Sequence, residues 1–376
     1  MNTPDVEILD VGQLTASDWR DMHAWRNAST VYDNPMFEPE LVRLVDSVRP
    51  DVKVLRIKQD ATVAGFWPIL LRPGGWARPV LGPFSDWHGP ILAPEVVSRL
   101  DAKTILRASP ISGGTFPSVP TALAGPDAVA QDVAAIVDLR SGWDAYEAVQ
   151  RKDHPKFFKK LGRLERKLER EIGPVAYDID CESDDAFEWL LASKARQYEL
   201  SGLHNVLKAD WAQSFLRGLR TLRTDRFAAK LSKVTANGRL VAAEFNMWSD
   251  KIVHGWITAY DNEFYPYSPG HLISTWILKQ SAFLGRDFSD WGPGHMSYKR
   301  FVMNDEAEIS AVRVSTEHAI RLGAAVWSAA ERMAPGGSAK LFERIRRRSD
   351  QICASEPVLR DRVSGHVSAL LRFNKR

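Results

Sequence analysis

Alternating and helically spaced apolar positions predict two successive sets of secondary-structure elements along this chain. The first set runs strand, helix, helix, strand, strand, followed by a later strand that closes it. Its segments are residues 6–9, 17–26, 39–45, 52–58, 62–71 and 134–139. The stretch from Arg78 to Pro94 is rich in glycine, proline and aromatic residues, which indicates an ordered loop.

The second set repeats this order and is longer. It runs strand, two helices, three strands, a loop, a helix and two further strands. Its segments are residues 175–179, 184–200, 210–222, 227–235, 239–248, 251–260, 272–284, 287–291 and 308–315. Asn237-Gly238 is typical of a two-residue hairpin turn. The second half is therefore predicted to form an antiparallel meander followed by a helical crossover, and the first half a shorter, degraded version of it, although the halves share topology and no obvious sequence.

A single long helix over residues 143–171 is predicted to connect the two sets. One of its faces carries apolar residues at helical spacing, and its centre is strongly basic. The basic residues are Lys156, Lys159, Lys160, Arg163, Arg166, Lys167 and Arg170. The chain is thereby divided into a first half at 1–140, a connecting helix at 141–173, a second half at 174–316 and a basic helical tail at 317–376.

Composition and charge exclude several classes of protein. Apolar residues make up 44% of the 376 residues and charged residues 26%, as in a globular protein with a real core. A net charge of +3 does not require nucleic acid, so we expect no DNA partner. Cys181 and Cys353 are far apart and have no neighbour at metal-binding spacing. Without a signal-like or membrane-length apolar segment, a cytoplasmic location is expected, with contact to the inner membrane only at its periphery.

Residues 259–272 have the composition of a turn that binds phosphate between a strand and a helix. Ser268 suits a helix N-cap, Pro269 suits the first helical position, and Gly270 permits close approach of the backbone. Free N–H groups at a helix start bind phosphate, although an ordinary capped helix would show the same residues. The candidate cofactor-binding residues are Tyr267, Ser268, Pro269, Gly270, His271 and Leu272.

A second informative run, residues 290–299, follows the next predicted strand. Two glycines frame a turn that presents Tyr298 and Lys299. A tyrosine can protonate a departing thiolate, and a lysine can hold an anionic substrate. The alternative is a packed tyrosine beside a solvated lysine.

Together these runs resemble the bacterial polysaccharide-biosynthesis (CelD-like) branch of the GNAT acetyltransferases, which is itself similar to Fem-type peptidyltransferases. The basic helix and the first-half segments 81–83 and 85–90 also match, so the resemblance spans about residues 35–315. It implies an α+β fold of two tandem GNAT-like domains, with mixed, mainly antiparallel sheets flanked by helices and a helical C-terminal tail. Residues 1–140 would be the degenerate domain, and 174–316 the acyltransferase domain.

The resemblance also implies acetyl-CoA or another acyl-CoA as the donor, without a metal. The acceptor would be an amino group on a sugar, or on a precursor of the cell envelope or an exopolysaccharide. Such a transfer needs a base for the amine, a polarised carbonyl and an acid for the thiolate. The base candidates are Glu244 and His254, with Asp261 next, and the acid candidates are Tyr298 and Tyr260.

Strand alternation places His254, Trp256, Thr258 and Tyr260 on one face of the 251–260 strand. The length of the preceding turn decides whether this face coincides with that of Glu244, and the sequence leaves the register open. A histidine on a strand is more often structural, whereas a glutamate inside an apolar strand is unusual because burial without a partner is costly.

Indole rings stack well on sugars, and several of the 13 tryptophans lie in the segments proposed for the cleft, although core packing explains most of them. The substrate-binding candidates are Asp86, Trp87, His88, Trp256, Asp290 and Lys299. The basic helix either attracts a nucleotide-sugar, a lipid-linked pyrophosphate or anionic headgroups, or is a solvated face. The Arg344–Arg348 cluster in the tail is a candidate site for a regulatory nucleotide.

Two other functions stay open at this point. One is an aminoacyl-tRNA-dependent peptidyltransferase of the Fem type, but no sustained heptad repeat for a coiled-coil arm interrupts the second half. The other is a non-catalytic GNAT-like module that binds a ligand.

Overall fold

The structure is a computed structural model that describes residues 3–125, 132–201, 204–294 and 296–315, with isolated positions between 349 and 366. Within these residues the strands form one sheet, and helices flank it. The strands are β1 Asp5–Leu9, β2 Val52–Gln59, β3 Thr62–Arg72, β4 Trp76–Pro79, β5 Ile91–Leu92, β6 Gly113–Pro120, β7 Asp132–Asp138, β8 Val175–Asp178, β9 Arg223–Thr224, β10 Phe227–Ala236, β11 Arg239–Ser249, β12 Ile252–Tyr260, β13 Phe288–Pro293 and β14 Asp305–Ser315. The helices are α1 Ala16–Ala28, α2 Glu40–Asp46, α3 Ala102–Ala108, α4 Thr121–Ala124, α5 Trp143–Asp153, α6 Pro155–Ile172, α7 Asp184–Ser201, α8 Asp210–Thr221 and α9 Pro269–Phe283.

The sheet has the order β1-β2-β3-β4-β6-β14-β7-β13-β12-β11-β10-β8, with β5 beside β3 and β9 beside β10. Most neighbours are antiparallel. The pairs β4–β6 and β12–β13 are parallel, one in each half of the chain. This arrangement confirms the predicted α+β class with a mixed, mainly antiparallel sheet flanked by helices.

The two halves exchange strands at the centre of the sheet. β14, from the end of the second half, lies between β6 and β7 of the first half. β7 in turn pairs with β13 of the second half. The largest cluster of buried apolar side chains accordingly contains residues from both halves.

Gly113 lies where this exchange leaves no room for a side chain. A Cβ at this position would lie 2.4 Å from Trp76 Cζ3 and 2.6 Å from the Val314 carbonyl oxygen. We therefore expect Gly113→Ala to lower the free energy of unfolding by about 1–3 kcal/mol in urea denaturation. Gly12→Ala is the control, because a Cβ there meets no atom within 4 Å. Equal stability of the two variants would contradict this account of the junction.

Several local predictions require correction. The predicted connecting helix is two helices, α5 and α6, which meet at His154-Pro155. Proline has no N–H to continue the first helix, and its ring clashes with the preceding turn. Thr15 caps α1 by accepting a hydrogen bond from the Asp18 amide, so this helix spans Ala16–Ala28 rather than the predicted 17–26. β6 and α3 were not predicted.

The hairpin between β10 and β11 is confirmed. Asn237 and Gly238 have φ values of 49° and 75°, the left-handed conformation that a two-residue turn of this kind requires. Pairing continues from this turn to Phe227 opposite Ser249. The register shifts once, between Val234 and Thr235, so the turn and this irregularity together place Glu244 opposite Ser232.

The tail from residue 317, including Arg344–Arg348, lies outside the described residues except at a few positions. There, the carbonyl of Ser355 accepts a hydrogen bond from Trp211 Nε1, and that of Cys353 accepts one from Arg72. Among the helices that the structure describes, none is long and apolar enough to cross a membrane. The described residues contain no cluster of three or more His, Cys, Asp or Glu side chains suited to a metal.

Candidate active site

A gap opens between β12 and β13 in the second half of the sheet. The strands pair only from Ile252 to His254, opposite Phe288 to Asp290, and then separate. The gap holds a cavity of about 160 Å³. Its walls are formed by Asp86, Glu244, Gly255, Trp256, Thr258, Ser274, Ser289, Trp291, Gly292, Pro293 and Tyr298.

A β-bulge in β12 forms one side of this gap. Glu244 of β11 lies opposite Thr258, but Met247 lies opposite His254, so the register shifts between them. The prediction that His254 and Thr258 share a face is therefore wrong, because the bulge places an extra residue between them. The open question of register is also answered: Glu244 and Thr258 lie on the same face of the sheet.

Glu244 is a buried carboxyl group that lines the cavity, with 4% of its surface exposed. Its Oε2 accepts a hydrogen bond of 2.5 Å from Ser274 Oγ of α9. Burial raises the pKa of Glu244, against the opposing effect of hydrogen bonds from Ser274, Asn246 and Thr258 and of the nearby Lys194 charge. A carboxylate with a raised pKa is better suited to accept a proton than an ordinary one.

Tyr298 lines the same cavity and remains partly exposed. Burial, together with the charge of Glu244, raises the pKa of its phenol. The phenol is therefore protonated at neutral pH and can donate a proton. Its ring lies 6.2 Å from that of Trp291 and 5.9 Å from that of His271, between centroids.

His254 is fully buried between two carboxylates. Its Nδ1 is 2.8 Å from Asp290 Oδ2, and its Nε2 is 3.2 Å from Asp86 Oδ2. Burial lowers its pKa, but the two carboxylates outweigh this effect and raise the pKa to about 9. The imidazole is thus already protonated at neutral pH, a state in which it cannot accept a proton from an amine.

Asp290 connects the two halves beneath the cavity. Its Oδ2 also accepts hydrogen bonds from Asn34 Nδ2 at 2.7 Å and from Trp87 Nε1 at 2.6 Å. Its Oδ1 accepts one of 2.7 Å from the Gly292 amide, at the end of β13. These bonds fix the end of β13, which forms one wall of the gap.

The structure places the predicted acceptor-binding residues in three settings: at the cavity wall, in the network beneath the cavity, or buried away from it. Asp86 and Trp256 line the cavity, whereas Trp87 and Asp290 lie in the network beneath it. His88 is buried in the core, where burial lowers its pKa to about 3 and the Ser118 amide donates to its Nε2.

Lys299 is also buried rather than presented to a ligand. Its Nζ donates hydrogen bonds to the carbonyl oxygens of Gly292 and Pro293. Lys299 Nζ is therefore engaged by the backbone. His88 is absent from the residues that line the cavity, and among the described residues its buried Nδ1 has no hydrogen-bond partner.

The start of α9 offers fewer free amides than its sequence predicted. Ser268 has a left-handed conformation with φ 54°, and its hydroxyl makes no capping bond. The amides of His271 and Leu272 both donate to the Ser268 carbonyl oxygen. Pro269 has no N–H, so among these described residues the Gly270 amide is the one without a protein acceptor. Tyr260 packs beside Gly270, where a Cβ would lie 3.6 Å from its ring.

The basic helix α6 runs beside this loop. Burial and the nearby charge of Lys160 lower the pKa of His271. Lys167 Nζ lies 5.2 Å from the centre of the Tyr267 ring, and the Tyr267 hydroxyl donates to Glu171. Lys160 of α6 thus adds positive charge near His271, the residue after Gly270, whereas Lys167 pairs with Glu171.

Asp261, the third base candidate, begins the loop. Its carboxylate accepts the Glu263 amide at 2.9 Å and so caps the turn at Asn262–Tyr267. Asp261 therefore shapes the loop and is absent from the residues that line the cavity.

Three residues near the cavity were missed by the sequence analysis. Ser274 bonds to Glu244, and Lys194 of α7 donates to the Thr258 carbonyl oxygen at 3.1 Å. Burial and the charge of Asp86 raise the pKa of Tyr198, also of α7, to about 12. All three lie at ordinary helical positions without a local motif, so only the packing of α7 and α9 on the sheet reveals them.

Comparison with known proteins relates part of the chain to a family. Residues 155–300 match the family described as an acetyltransferase (GNAT) domain. No curated protein matches the chain significantly. By class, the chain is therefore an enzyme with a GNAT-type N-acyltransferase domain.

Several solved structures resemble the chain at low sequence identity, and one of them, FemX, shares its fold. FemX is 9% identical with a TM-score of 0.54, over 84% of this chain and 99% of FemX. A tandem GNAT protein from the clavulanic acid biosynthesis pathway is 10% identical with a TM-score of 0.45, over 83% of this chain and 100% of that chain. A GCN5-related N-acetyltransferase from Anabaena variabilis is 12% identical with a TM-score of 0.33, over 82% of this chain and 71% of that chain.

Proposed function

We propose that the chain transfers an acetyl group, or another acyl group, from acyl-CoA to an amino group. The observation that carries this proposal is the gap between β12 and β13, where Glu244 and Tyr298 line one cavity. Acyl-CoA would supply an activated thioester carbonyl. Its diphosphate would lie at the Gly270 amide, near Lys160 of α6, since free amides at helix starts favour phosphate.

The cavity residues have the properties that this reaction needs. Glu244 removes a proton from the acceptor amine, directly or through water, so that the nitrogen lone pair can attack the carbonyl carbon. A C–N bond forms and the C–S bond breaks, and Tyr298 gives its proton to the departing thiolate. The nitrogen releases its second proton as the amide forms, and that proton, directly or through water, restores the Tyr298 phenol. Gly255, at the bulge, is the candidate N–H donor to the carbonyl oxygen.

For the acceptor, we propose a sugar or a precursor of the envelope or of an exopolysaccharide, as in the CelD-like branch. Trp256 and Trp291 line the cavity, and indole faces stack well on sugar C–H groups. Asp86 adds a carboxylate that can accept hydrogen bonds from hydroxyl groups. We further propose a cytoplasmic enzyme, at most peripheral to the inner membrane, with its chemistry in residues 174–316.

Removing the Tyr298 hydroxyl should slow acyl transfer. We expect Tyr298→Phe to lower kcat by about 100-fold, because the thiolate would leave without its proton donor. Steady-state assays that follow release of free thiol measure this effect. Tyr265→Phe is the matched control, since Tyr265 is 68% exposed and does not line the cavity. If Tyr298→Phe keeps wild-type kcat across the pH range, Tyr298 is not the acid.

Ligand-dependent thermal unfolding tests the proposed function itself. Acetyl-CoA at saturating concentration should raise the Tm, since a ligand that binds only the folded state stabilises it. Free CoA should do so as well. No shift with either compound would contradict the proposal, leaving a non-catalytic module or a tRNA-dependent enzyme.

A further inference from the structure

We propose that the chain has a second ligand site, for a nucleoside diphosphate group, in a groove between α6 and α9. The groove, here called the α6–α9 groove, has a volume of about 470 Å³, within the usual range for small-molecule sites. It is lined by Trp143, Glu147, Arg151, Phe158, Lys159, Leu161, Gly162, Glu165, Arg166, Tyr177, Leu272, Thr275, Trp276 and Lys279.

The cations of this groove are available for a ligand. Two carboxylates line it, and both are engaged: Glu147 pairs with Arg151, and Glu165 accepts the Tyr177 hydroxyl at 2.8 Å. Among the described residues, Lys159, Arg166 and Lys279 have no carboxylate partner. With Arg151 included, four cations and two carboxylates line the groove, and this excess of two positive charges favours a ligand with more than one negative charge.

The walls of the groove are aromatic. Trp276 lines it and stacks on Tyr177, with ring centroids 5.0 Å apart. Trp143 and Phe158 form the opposite side, and Lys279 Nζ lies 5.9 Å from the centre of the Trp143 ring. Aromatic walls next to unpaired cations suit a planar base joined to phosphates rather than phosphate alone.

A polar atom without a partner also lies in the groove. The Thr275 hydroxyl is buried and has no hydrogen-bond partner, although a buried donor or acceptor is normally satisfied. Gly162 lies nearby and presents no side chain, so a ligand can approach the backbone of α6 there. The hydroxyl has almost no accessible surface, so it is an unsatisfied polar group in the wall of the groove rather than a direct ligand contact.

The groove is separate from the acyl-transfer cavity. Ser274 of α9 bonds to Glu244 in the cavity, whereas its neighbours Thr275 and Trp276 face the groove. On α6, Lys160 and Lys167 approach the loop before α9, whereas Lys159 and Arg166 line the groove. A nucleotide in the groove and an acyl-CoA in the cavity would therefore bind at the same time.

Isothermal titration calorimetry with UDP, ADP, uridine and inorganic pyrophosphate tests this site on the full-length chain. We expect UDP or ADP to bind more tightly than pyrophosphate, and uridine to bind more weakly than either nucleotide. The nucleotide affinity should be unchanged at saturating acetyl-CoA. Competition by acetyl-CoA would instead assign the nucleotide to the cofactor's own site and would overturn the proposal.

Charge-reversal variants locate the binding. In Arg166→Glu/Lys279→Glu the nucleotide should bind at least about tenfold more weakly, the effect of losing one charge-assisted hydrogen bond. Both side chains are exposed, so the Tm should stay near the wild-type value. Lys160→Glu is the matched control on the other side of α6, and it should weaken acetyl-CoA rather than the nucleotide.

Three results would overturn the second site. The first is the absence of nucleotide binding below about 1 mM. The second is an unchanged nucleotide affinity in the double variant. The third is a loss of nucleotide affinity in Lys160→Glu as large as in the double variant, which would indicate attraction to the whole helix. The proposed acyltransferase function is tested separately, because loss of the nucleotide site leaves acetyl-CoA binding intact.

Discussion

Glu244→Gln is expected to lower kcat for acyl transfer by about 10²–10⁴-fold, the contribution usual for a positioned general base. Glutamine keeps the shape of the side chain and the hydrogen bond from Ser274 but cannot accept the amine proton. Since acyl-CoA does not depend on this carboxylate for binding, its Kd should change little. Single-turnover assays and titration of acetyl-CoA measure the two quantities separately.

The pH dependence gives this prediction a second readout. Only ionised Glu244 can act as a base, and burial raises its pKa. Wild-type kcat/KM should therefore fall as the pH drops through that raised pKa, above the usual range for a glutamate. The variant should lose this acidic limb, because glutamine does not titrate.

As the pH rises, the folding stability that Glu244 contributes should fall while activity rises. The folded chain holds the Glu244 proton more tightly than the unfolded chain, so folding stability falls as the pH rises from 4.5 through the raised pKa. Above that pKa, Glu244→Gln should be at least as stable as the wild type. Glu306→Gln, an exposed change on β14, is the control and should alter neither property. Glu244 is not the base if the variant retains wild-type kcat with an unchanged pH profile.

Asp290→Asn is expected to lower the free energy of unfolding by about 3–5 kcal/mol, as when one partner of a buried ion pair is removed. The Asp290 oxygens accept hydrogen bonds from Asn34, Trp87, Gly292 and the protonated His254. An asparagine would turn an N–H₂ group toward some of these donors and would leave His254 with Asp86 as its remaining carboxylate. Urea denaturation at neutral pH measures the loss.

Asp305→Asn provides the matched control for this second prediction. Asp305 is exposed on β14, and its Oδ1 accepts the Glu306 amide, which an asparagine can replace. Its effect should stay within about 0.5 kcal/mol, as for ordinary surface substitutions. A loss no larger for Asp290→Asn than for Asp305→Asn would show that the network beneath the cavity does not hold the two halves together.

Short-range signals in the sequence predicted the second half well. The apolar alternation of β10 and β11 and the Asn237-Gly238 turn are local features, and the hairpin they predict is present. Glu244 was singled out for the same reason, as one carboxyl group within an apolar strand. The proline that divides the connecting helix was visible at position 155, but the strong helical periodicity on both sides concealed its effect.

Features that depend on distant parts of the chain could not be predicted. The exchange of β7 and β14 is a pairing between strands far apart in sequence, and the bulge in β12 leaves no signature in the alternation. His254 looked like a base because its partners were unknown. Asp290 and Asp86 lie 36 and 168 residues away from His254 along the chain, so only the folded sheet shows that the histidine is enclosed by carboxylates.

A crystal structure of the chain with CoA tests the central claim most directly. We predict that the cofactor enters between β12 and β13, with its sulfur in hydrogen-bond reach of the Tyr298 hydroxyl and its diphosphate at the Gly270 amide. Cofactor bound elsewhere, or a gap that stays empty at saturating CoA, would contradict the account.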